Sequence, residues 1–277
     1  MKEKLYSTQI RTKNFSSAPL RGDIGKFPVR SIVRLGSQTT NTEAFSKAPQ
    51  GVRIIEINTV QSIENSRSKL LMKKCFAEAG VPQSIWWTYN PTRNVFFESG
   101  LTDVNAGLTA ETLPFPILAK RICGFKGHGM VKLDTMEELN EWLRSNSLAG
   151  YYFEQFMNYA REYRLHCTQN ECFMSWRKLR KADADNRWFF NSSNCNWVGE
   201  NHELFDRPTN WDNIVEHCIS AIKAVGLEVG SFDVRIQSKS NRNPLYILVE
   251  VNSAPALGEN GVRIYKDVIS SLIKNKI

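Results

Sequence analysis

The stretch YILVEVNSAPAL, residues 246–257, decides how the rest of the chain is interpreted. An apolar strand ends there in a glutamate and an asparagine, just before a Ser-Ala-Pro break. Because alternate strand residues share a face, Glu250 and Asn252 should point one way while Val249 and Val251 point into the opposite layer. The pattern predicts a strand that carries a carboxylate and an amide to a site.

A second strand-like run, GSFDVRI at residues 230–236, lies just upstream. The residues between the two runs, 239–244, have the composition of a turn. If the hairpin folds symmetrically about the middle of this turn, Asp233 falls opposite Glu250. Like charges directly opposite each other destabilise a sheet unless a positive group lies between them.

A divalent cation would satisfy this pair of carboxylates. Asp233, Glu250 and Asn252 offer only oxygen ligands, which suit Mg²⁺ or Mn²⁺ shared with substrate phosphates rather than zinc. The alternative is a solvated sheet face whose carboxylates never meet. The hairpin sequence alone leaves both interpretations open.

Composition describes a globular protein without a membrane segment. The 277 residues suit one large domain or two or three small lobes around a cleft. Hydrophobic residues make up 42% and charged residues 23%, which is typical of soluble domains. No apolar run approaches the ~20 residues needed to cross a bilayer, and the first residues lack the apolar core of a signal peptide. We therefore expect a cytoplasmic protein with no membrane partner.

The formal net charge of +8 favours anionic partners: a nucleotide, an acidic peptide or nucleic acid. The six cysteines are scattered, with no CxxC pair and no histidine at zinc-ligand spacing. We expect reduced thiols, several of them buried. Charge alone does not choose among the anionic partners.

Periodicity predicts short strands with a few helices between them. Residues 1–26 are polar and basic without a period and predict a loosely ordered or substrate-contacting arm, while residues 181–208 predict a mobile loop. Strands are predicted at residues 27–36, 84–88, 116–120, 130–133, 151–156 and 161–167. Residues 52–57 form a short apolar run, and residues 171–179 are rich in aromatic and basic side chains. Helices are predicted at residues 62–79, 136–144, 211–225 and 262–275. The second of these helices follows a capping-box signature, Thr135 with Glu138.

A glycine-rich loop follows the strand that ends in Lys120. Its functional candidates are Gly124, Lys126, Gly127, His128 and Gly129. Bare backbone N–H groups there could wrap a phosphate tail, although a tight turn without a ligand is the alternative. A lysine at the end of a buried strand must reach solvent or meet an anion, because burying an unpaired ammonium is costly. For Lys120 that anion is either a nucleotide phosphate or a structural carboxylate.

Two further strands carry polar groups that could serve a site. Residues 152–156 could read an adenine through backbone groups of Gln155 and Phe156, or form an ordinary strand. Alternation along residues 161–167 puts three polar residues on one face, namely Glu162, Arg164 and His166.

A basic cluster follows in the next strand, and it consists of Arg177, Lys178, Arg180 and Lys181. Such a cluster could neutralise a transferring phosphoryl group or meet an acidic acceptor. A charge run is also what a solvated surface looks like. The sequence leaves both open.

Taken in order, these motifs resemble the ATP-grasp superfamily. The ordered set is Lys69 before a helix that ends in Gly80-Val81-Pro82, residues 116–120, the glycine loop, Glu154-Gln155-Phe156, Glu162-Tyr163-Arg164, Asp233 and residues 250–255. The last motif is closest to that of ribosomal-protein glutamate ligases and related amino-acid ligases, and D-alanine:D-alanine ligase shares the plan. The resemblance covers residues 66–265. Residues 181–200 depart from the arginine- and glycine-containing pattern of the glutamate ligases, so their substrate is not carried over.

The resemblance implies an α+β architecture, the ATP-grasp fold, in which two α+β lobes clasp ATP behind a small N-terminal α/β lobe. Residues 1–65 would form this reduced substrate lobe and residues 66–277 the ATP-grasp domain. Within that domain, residues 116–156 would be the glycine-loop subdomain and residues 157–277 the metal-binding C-terminal lobe.

The resemblance also implies roles for individual residues. The implied nucleotide ligands are Lys69 and Lys120 on the phosphates, the loop Gly124, Lys126, Gly127, His128 and Gly129 over them, Glu154, Gln155 and Phe156 at the adenine, and Glu162 at the ribose. Asp233, Glu250 and Asn252 would hold two Mg²⁺ (or Mn²⁺) ions. Arg235, Arg177 and Lys178 are expected to bind phosphate or carboxylate in the transition state.

The implied reaction is phosphorylation of a carboxylate by ATP to an acyl phosphate, followed by attack of an amine to form an amide or peptide bond. The acceptor would be an amino acid or an acidic peptide or protein. One rival hypothesis is a kinase that uses the same nucleotide site. Another is a basic nucleic-acid-binding protein without catalysis, which is disfavoured because binding alone does not require Asp233, Glu250 and Asn252 to converge.

Overall fold

Sixteen strands and six helices make up the part of the chain that the computed structural model describes, residues 4–12, 20, 24–46, 53–98, 107–124, 127–184, 188–189 and 194–277. The strands are β1 Tyr6–Ser7, β2 Gln9–Thr12, β3 Lys26–Phe27, β4 Arg30–Leu35, β5 Ile54–Ile57, β6 Trp86–Asn90, β7 Val95–Glu98, β8 Gly107–Leu108, β9 Ile117–Arg121, β10 Val131–Leu133, β11 Tyr151–Gln155, β12 Arg161–Thr168, β13 Cys172–Arg180, β14 Cys195–Gly199, β15 Val229–Ile236 and β16 Tyr246–Asn252. The helices are α1 Asn41–Phe45, α2 Val60–Arg67, α3 Lys69–Glu78, α4 Met136–Ser145, α5 Trp211–Val225 and α6 Glu259–Lys274. Among these, no helix has both the length and the apolar character needed to span a bilayer.

A three-stranded parallel sheet, in the order β2-β4-β5, forms the front of the molecule. Its apolar face packs against helix α6, with Val33 and Ile57 in one core with Tyr265 and Ile269. β1 pairs with β3, and β2 pairs with β4. The expectation of a loosely ordered arm over residues 1–26 is therefore wrong for the part described, because backbone pairing needs no apolar period.

The front sheet is fastened to the rest of the protein by Asn58, which has a positive φ of 60°. Its amide donates to the carbonyls of Arg34 and Val229, each at 3.0 Å, and accepts from the backbone N–H of Glu228 at 2.8 Å. The boundary predicted after residue 65 falls inside α2. It stays a prediction.

A six-stranded antiparallel sheet, in the order β10-β9-β11-β6-β7-β8, forms the middle of the chain, and α4 covers it. Thr135 caps α4 as expected, accepting from the backbone N–H of Glu138 at 3.3 Å. The Glu138 carboxylate accepts from the backbone N–H of Asp134 at 2.7 Å. In a standard capping box the Glu138 carboxylate would accept from the backbone N–H of Thr135. Here it accepts from the preceding residue instead.

A five-stranded antiparallel sheet, in the order β14-β13-β12-β15-β16, forms the C-terminal lobe. One face packs on α3 and α5, where Tyr163 and Leu165 meet Ile214 and Ile222. The helix α5 has the bounds the sequence predicts, and Gly226 ends it with a φ of +81°. The other face packs on α6 at one end, where His166 Nδ1 lies 2.8 Å from the Tyr265 hydroxyl, and carries charged groups over the rest.

Two sequence expectations need correction. The helix predicted over residues 62–79 is two helices, because Ser68 is extended (ψ 110°) and its hydroxyl accepts from the backbone N–H of Leu71, which starts α3. Lys69 is consequently the first residue of α3. Residues 181–208, expected to be a mobile loop, contain the edge strand β14, which pairs with β13. This strand is held by backbone hydrogen bonds, so its sequence shows no alternation of apolar and polar residues.

The hairpin prediction is confirmed where it matters: Asp233 lies opposite Glu250. A β-bulge directly after Asp233 then shifts the register by one residue. Leu248 and Val251, three residues apart, therefore both enter the core, whereas Val249 is only half-buried. The expectation that Val249 points into the core is wrong because Val249 is the bulged residue, without a partner on β15. Strict two-residue alternation cannot predict a bulge.

Candidate active site

Charged side chains cover the face of the five-stranded sheet that points away from α5. Tyr163 and its alternate neighbours face the helix, so Glu162 and Arg164 on β12 face the other way. Cross-strand pairing sets Glu162 beside Lys178 and Arg164 beside Asp233. The predicted polar face of β12 is thus completed by β13 and β15.

Two cations bind Asp233 through three hydrogen bonds. The Arg164 guanidinium donates to both of its oxygens, Nε to Oδ1 at 2.7 Å and Nη2 to Oδ2 at 2.9 Å. Lys178 Nζ donates to Oδ2 at 3.0 Å. Burial opposes the negative charge, but Arg164 and Lys178 hold the pKa of Asp233 well below its usual value. Asp233 is therefore ionised.

Glu162, the residue expected at the ribose, is also bound by two cations. Lys178 donates to Oε1, and Arg235 Nε donates to Oε2 at 2.9 Å. Lys178 thus bridges Glu162 and Asp233, which joins two of the expected transition-state residues, Lys178 and Arg235, in one network. Sequence reasoning missed Trp197 on β14, whose ring lies under Lys178 and Arg164, at 5.1 and 4.8 Å from its centroid.

A second cluster lies where α3 meets the six-stranded sheet. Lys120 Nζ is 2.6 Å from Glu154 Oε1, and Lys73 Nζ is 3.1 Å from Glu154 Oε2. The structural carboxylate that was the alternative for Lys120 is therefore present. Lys73 was missed, although it follows Lys69 by four residues and so shares its helix face.

The crowding of ammonium groups changes the acidity of this cluster. Burial lowers the pKa of Lys120 to about 8, because the nearby Lys69 and Lys73 offset the help from Glu154. Burial disfavours ionised Glu154 as well, yet Lys120 and Lys73 keep its pKa well below the usual range. Lys120 is the group of this pair that titrates near neutral pH.

Lys69 joins the two clusters. Its Nζ lies 2.6 Å from Glu250 Oε2, across the gap between α3 and β16. Burial opposes its charge, but Glu250 raises the pKa of Lys69 above the usual value, with further help from Glu154 and Asp233. Asn252 Nδ2 donates to the other Glu250 oxygen at 3.4 Å. The predicted phosphate and metal residues therefore lie in one place.

The joined clusters carry more positive than negative charge. The cations are Lys69, Lys73, Lys120, Arg164, Lys178 and Arg235, and the carboxylates are Glu154, Glu162, Asp233 and Glu250. Six against four leaves two positive charges in a largely buried site. Such a surplus is costly unless an anion arrives.

Arg177 lies elsewhere. Adjacent strand residues point to opposite faces, so Arg177 faces α5 while Lys178 faces the site. Its Nη1 donates to the Leu204 carbonyl at 2.6 Å and also contacts Asp206. The expectation that Arg177 binds the reacting groups is therefore wrong.

The predicted adenine edge is only partly available. The backbone N–H of Gln155 donates to the Ile85 carbonyl at 2.9 Å, and that of Phe156 donates to the Pro116 carbonyl at 3.0 Å. Both N–H groups have acceptors within the protein, and the adenine role of Gln155 and Phe156 stays a prediction. The Phe156 ring instead lines a small cavity of about 150 Å³ with Trp188.

Two glycines of the glycine loop adopt the left-handed backbone conformation that glycine favours. Gly127 and Gly129 have φ values of +75° and +70°, whereas Gly124 has no such constraint. A Cβ on Gly127 would lie 3.0 Å from the Phe189 ring. His128 is exposed at the tip, and Lys126 lies outside the described residues. The loop therefore packs against the segment that follows β13.

The donor set at Asp233, Glu250 and Asn252 fits a hard divalent cation. Two carboxylates face each other across paired strands, and one amide oxygen lies on the same face. The Ser231 hydroxyl, opposite Asn252, is buried with no hydrogen-bond partner. Within the described ranges no three His, Cys, Asp or Glu residues could enclose a metal by themselves. An ion here would need the Asn252 amide and oxygens from a bound substrate.

The overall fold matches solved ligase structures. D-alanine–D-alanine ligase from Bacillus anthracis is 11% identical, with 97% of this chain and 98% of that chain covered and a TM-score of 0.62. An ATP-grasp ligase, PsnB, complexed with minimal precursor, is 13% identical over 89% of this chain and 80% of that chain, with a TM-score of 0.52. The chain has the ATP-grasp fold.

A third match with the ATP-grasp fold is carboxyaminoimidazole ribonucleotide synthase from Aspergillus clavatus, complexed with ATP. It is 16% identical over 80% of this chain, with a TM-score of 0.54. The chain spans about half the length of that synthase, 53%. The sequence matches no protein-family model and no curated protein.

Proposed function

We propose that this chain is an ATP-dependent carboxylate–amine ligase that activates a carboxylate as an acyl phosphate and condenses it with an amine. The observation that carries the proposal is the joined cluster of six cations and four carboxylates, with its surplus of two positive charges. It lies on the two sheets of an ATP-grasp fold, the fold of ligases that form carbon–nitrogen bonds and that bind ATP.

The lysines supply the phosphate contacts in this proposal. Lys69 and Lys120 each have one carboxylate partner at 2.6 Å, and a nucleotide phosphate is a stronger anion for both. Lys73 would stay on Glu154 and keep that carboxylate ionised and fixed beside the nucleotide. Because the backbone N–H groups of residues 155 and 156 are used, base recognition would rest on carbonyls and side chains.

Asp233, Glu250 and Asn252 would hold two Mg²⁺ ions shared with the phosphates. When bound, such ions neutralise charge on the phosphates of ATP and align the γ-phosphate with its acceptor. Lys178 and Arg235 lie on the same face and would orient the carboxylate that is phosphorylated. Phosphoryl transfer needs this alignment and charge neutralisation more than covalent help.

The glycine loop gives the site a means of keeping water away from the acyl phosphate. The loop lies close to Phe189, whose ring would be 3.0 Å from a Cβ added at Gly127. Excluding water favours attack by the amine over hydrolysis. The net charge of +8 supports an acidic acceptor, such as an amino acid or an acidic peptide or protein.

The proposal is tested by ADP release from Mg²⁺-ATP with a panel of amino acids, short acidic peptides and amine donors, and with Glu250→Gln as the blank. A ligase releases ADP only when a carboxylate and an amine are both present, and the product has the mass of the condensed pair. A kinase would release ADP with one acceptor and give a phosphorylated product, which contradicts the proposal.

A further inference from the structure

Arg164 occupies the position on Asp233 that a metal ion would need. Its guanidinium takes both carboxylate oxygens, and Lys178 takes one of them as well. A carboxylate has about four lone-pair positions, and three of these are filled here. A divalent cation at Asp233 would also lie against the Arg164 charge, so the two positive groups exclude each other.

Arg164 is held in a way that allows it to leave. Among the residues that the structure describes, its hydrogen bonds go to Asp233, and its guanidinium lies 4.8 Å from the centroid of the Trp197 ring. Arg161, three residues earlier on the same strand, is instead fixed by carbonyls of Ser238 and Ser240 as well as by Asp206. A flat ring contact resists sliding far less than a set of directed hydrogen bonds does.

We propose that Arg164 holds the place of a metal ion on Asp233 in the nucleotide-free protein and moves to the phosphoryl group that is being transferred when the ion binds. The planar fork that now grips a carboxylate is equally suited to two phosphate oxygens. Metal binding at Asp233 is then weak until a nucleotide supplies a new anion for Arg164. The destination of Arg164 rests on the proposed function; its place on Asp233 does not.

The test measures Mn²⁺ binding by electron paramagnetic resonance, with and without a non-hydrolysable ATP analogue. Wild-type protein should bind Mn²⁺ weakly alone and tightly with the analogue. Arg164→Gln should tighten Mn²⁺ binding without nucleotide by about tenfold or more, because Asp233 loses its competing cation. Arg164→Gln combined with Asp233→Asn should lose that gain.

Arg235→Gln is the matched control. It removes one positive charge from the same face, but from a residue whose partner is Glu162 rather than Asp233. Its effect on Mn²⁺ binding without nucleotide should be much smaller than that of Arg164→Gln. If both variants tighten Mn²⁺ binding equally, the loss of one positive charge alone explains the gain, and the proposal is overturned.

Unchanged or weaker Mn²⁺ binding by folded Arg164→Gln would also overturn it. If that variant does not fold, Arg164→Lys decides: it keeps the charge without the fork and should give a smaller gain, and no gain would contradict the proposal. The measurement needs no acceptor substrate. Absence of ligation would therefore count against the proposed function alone.

Discussion

The two faces of the five-stranded sheet use charge in different ways. On the face toward α5, Arg161 and Arg177 share one carboxylate, Asp206, and also donate to neutral carbonyl oxygens. On the opposite face, Arg164 and its neighbours are paired with carboxylates, and cations are in surplus. Directed bonds to carbonyls fix a structure, whereas cations paired with carboxylates can exchange those partners for an incoming anion.

The largest expected effect comes from the charged face. Glu250→Gln should lower ATP turnover by about 10³-fold, because it removes a proposed metal ligand and frees Lys69 from its partner. The fold should survive, since the Glu250 side chain is 30% exposed and the change is isosteric. Steady-state ADP release and circular dichroism measure the two effects. Full activity of the variant would show that Glu250 is not at the site.

A substitution on the α5 face should lower stability and leave turnover unchanged, the reverse of Glu250→Gln. Asp206→Ala leaves Arg161 and Arg177 without their shared carboxylate. The Tyr163 hydroxyl loses the carboxylate oxygen and keeps the backbone carbonyl of residue 206 as its acceptor. We expect the free energy of unfolding to fall by about 2 to 4 kcal/mol while kcat stays near the wild-type value. Urea denaturation with parallel kinetics measures both. A loss of turnover without a loss of stability would contradict the division between the faces.

Nucleotide affinity should depend on the protonation of Lys120. Its pKa of about 8 means that the ammonium is present at pH 7 and lost as the pH rises through 8, so the attraction for phosphate falls with it. ATP binding should be about tenfold weaker at pH 9 than at pH 7, since only the protonated form is competent. Isothermal titration across this range measures the slope. Lys120→Arg, which stays charged, should bind with no such slope.

The smallest expected effect concerns the glycine loop. Gly127→Ala strains a backbone with φ +75° by about 1 to 2 kcal/mol and crowds Phe189, so ATP binding should weaken several-fold. Gly150→Ala is the control, with φ +81° and no neighbour within 4 Å of the added Cβ. It bears the same backbone strain away from Phe189. Equal loss of ATP affinity in both variants would show that contact with Phe189 has no role.

Local patterns predicted much of this site. Two-residue alternation placed Glu162 and Arg164 on one face, and the hairpin symmetry placed Asp233 opposite Glu250, because both depend only on backbone pairing. The order of the motifs then predicted the ATP-grasp fold, which the matched structures confirm. The order of motifs in one sequence was therefore enough to predict the fold.

Contacts between distant segments were not predictable. Lys73 meets Glu154 across 81 residues of chain, and Trp197 reaches Arg164 from an edge strand that has no period. Arg177 was assigned to the site because it lies next to Lys178 in sequence, although neighbours on a strand point apart. The pairing of each cation depends on tertiary packing, which local patterns do not encode.

Binding of a non-hydrolysable Mg²⁺-ATP analogue to Lys120→Met and Arg177→Met, measured by isothermal titration beside the wild type, tests the central claim most directly. Each variant removes one positive charge, the first from the site cluster and the second from the α5 face. We predict that Lys120→Met loses most of the affinity and that Arg177→Met keeps it. Equal losses in both variants, or no binding by the wild type, would contradict the assignment of this face as the nucleotide site.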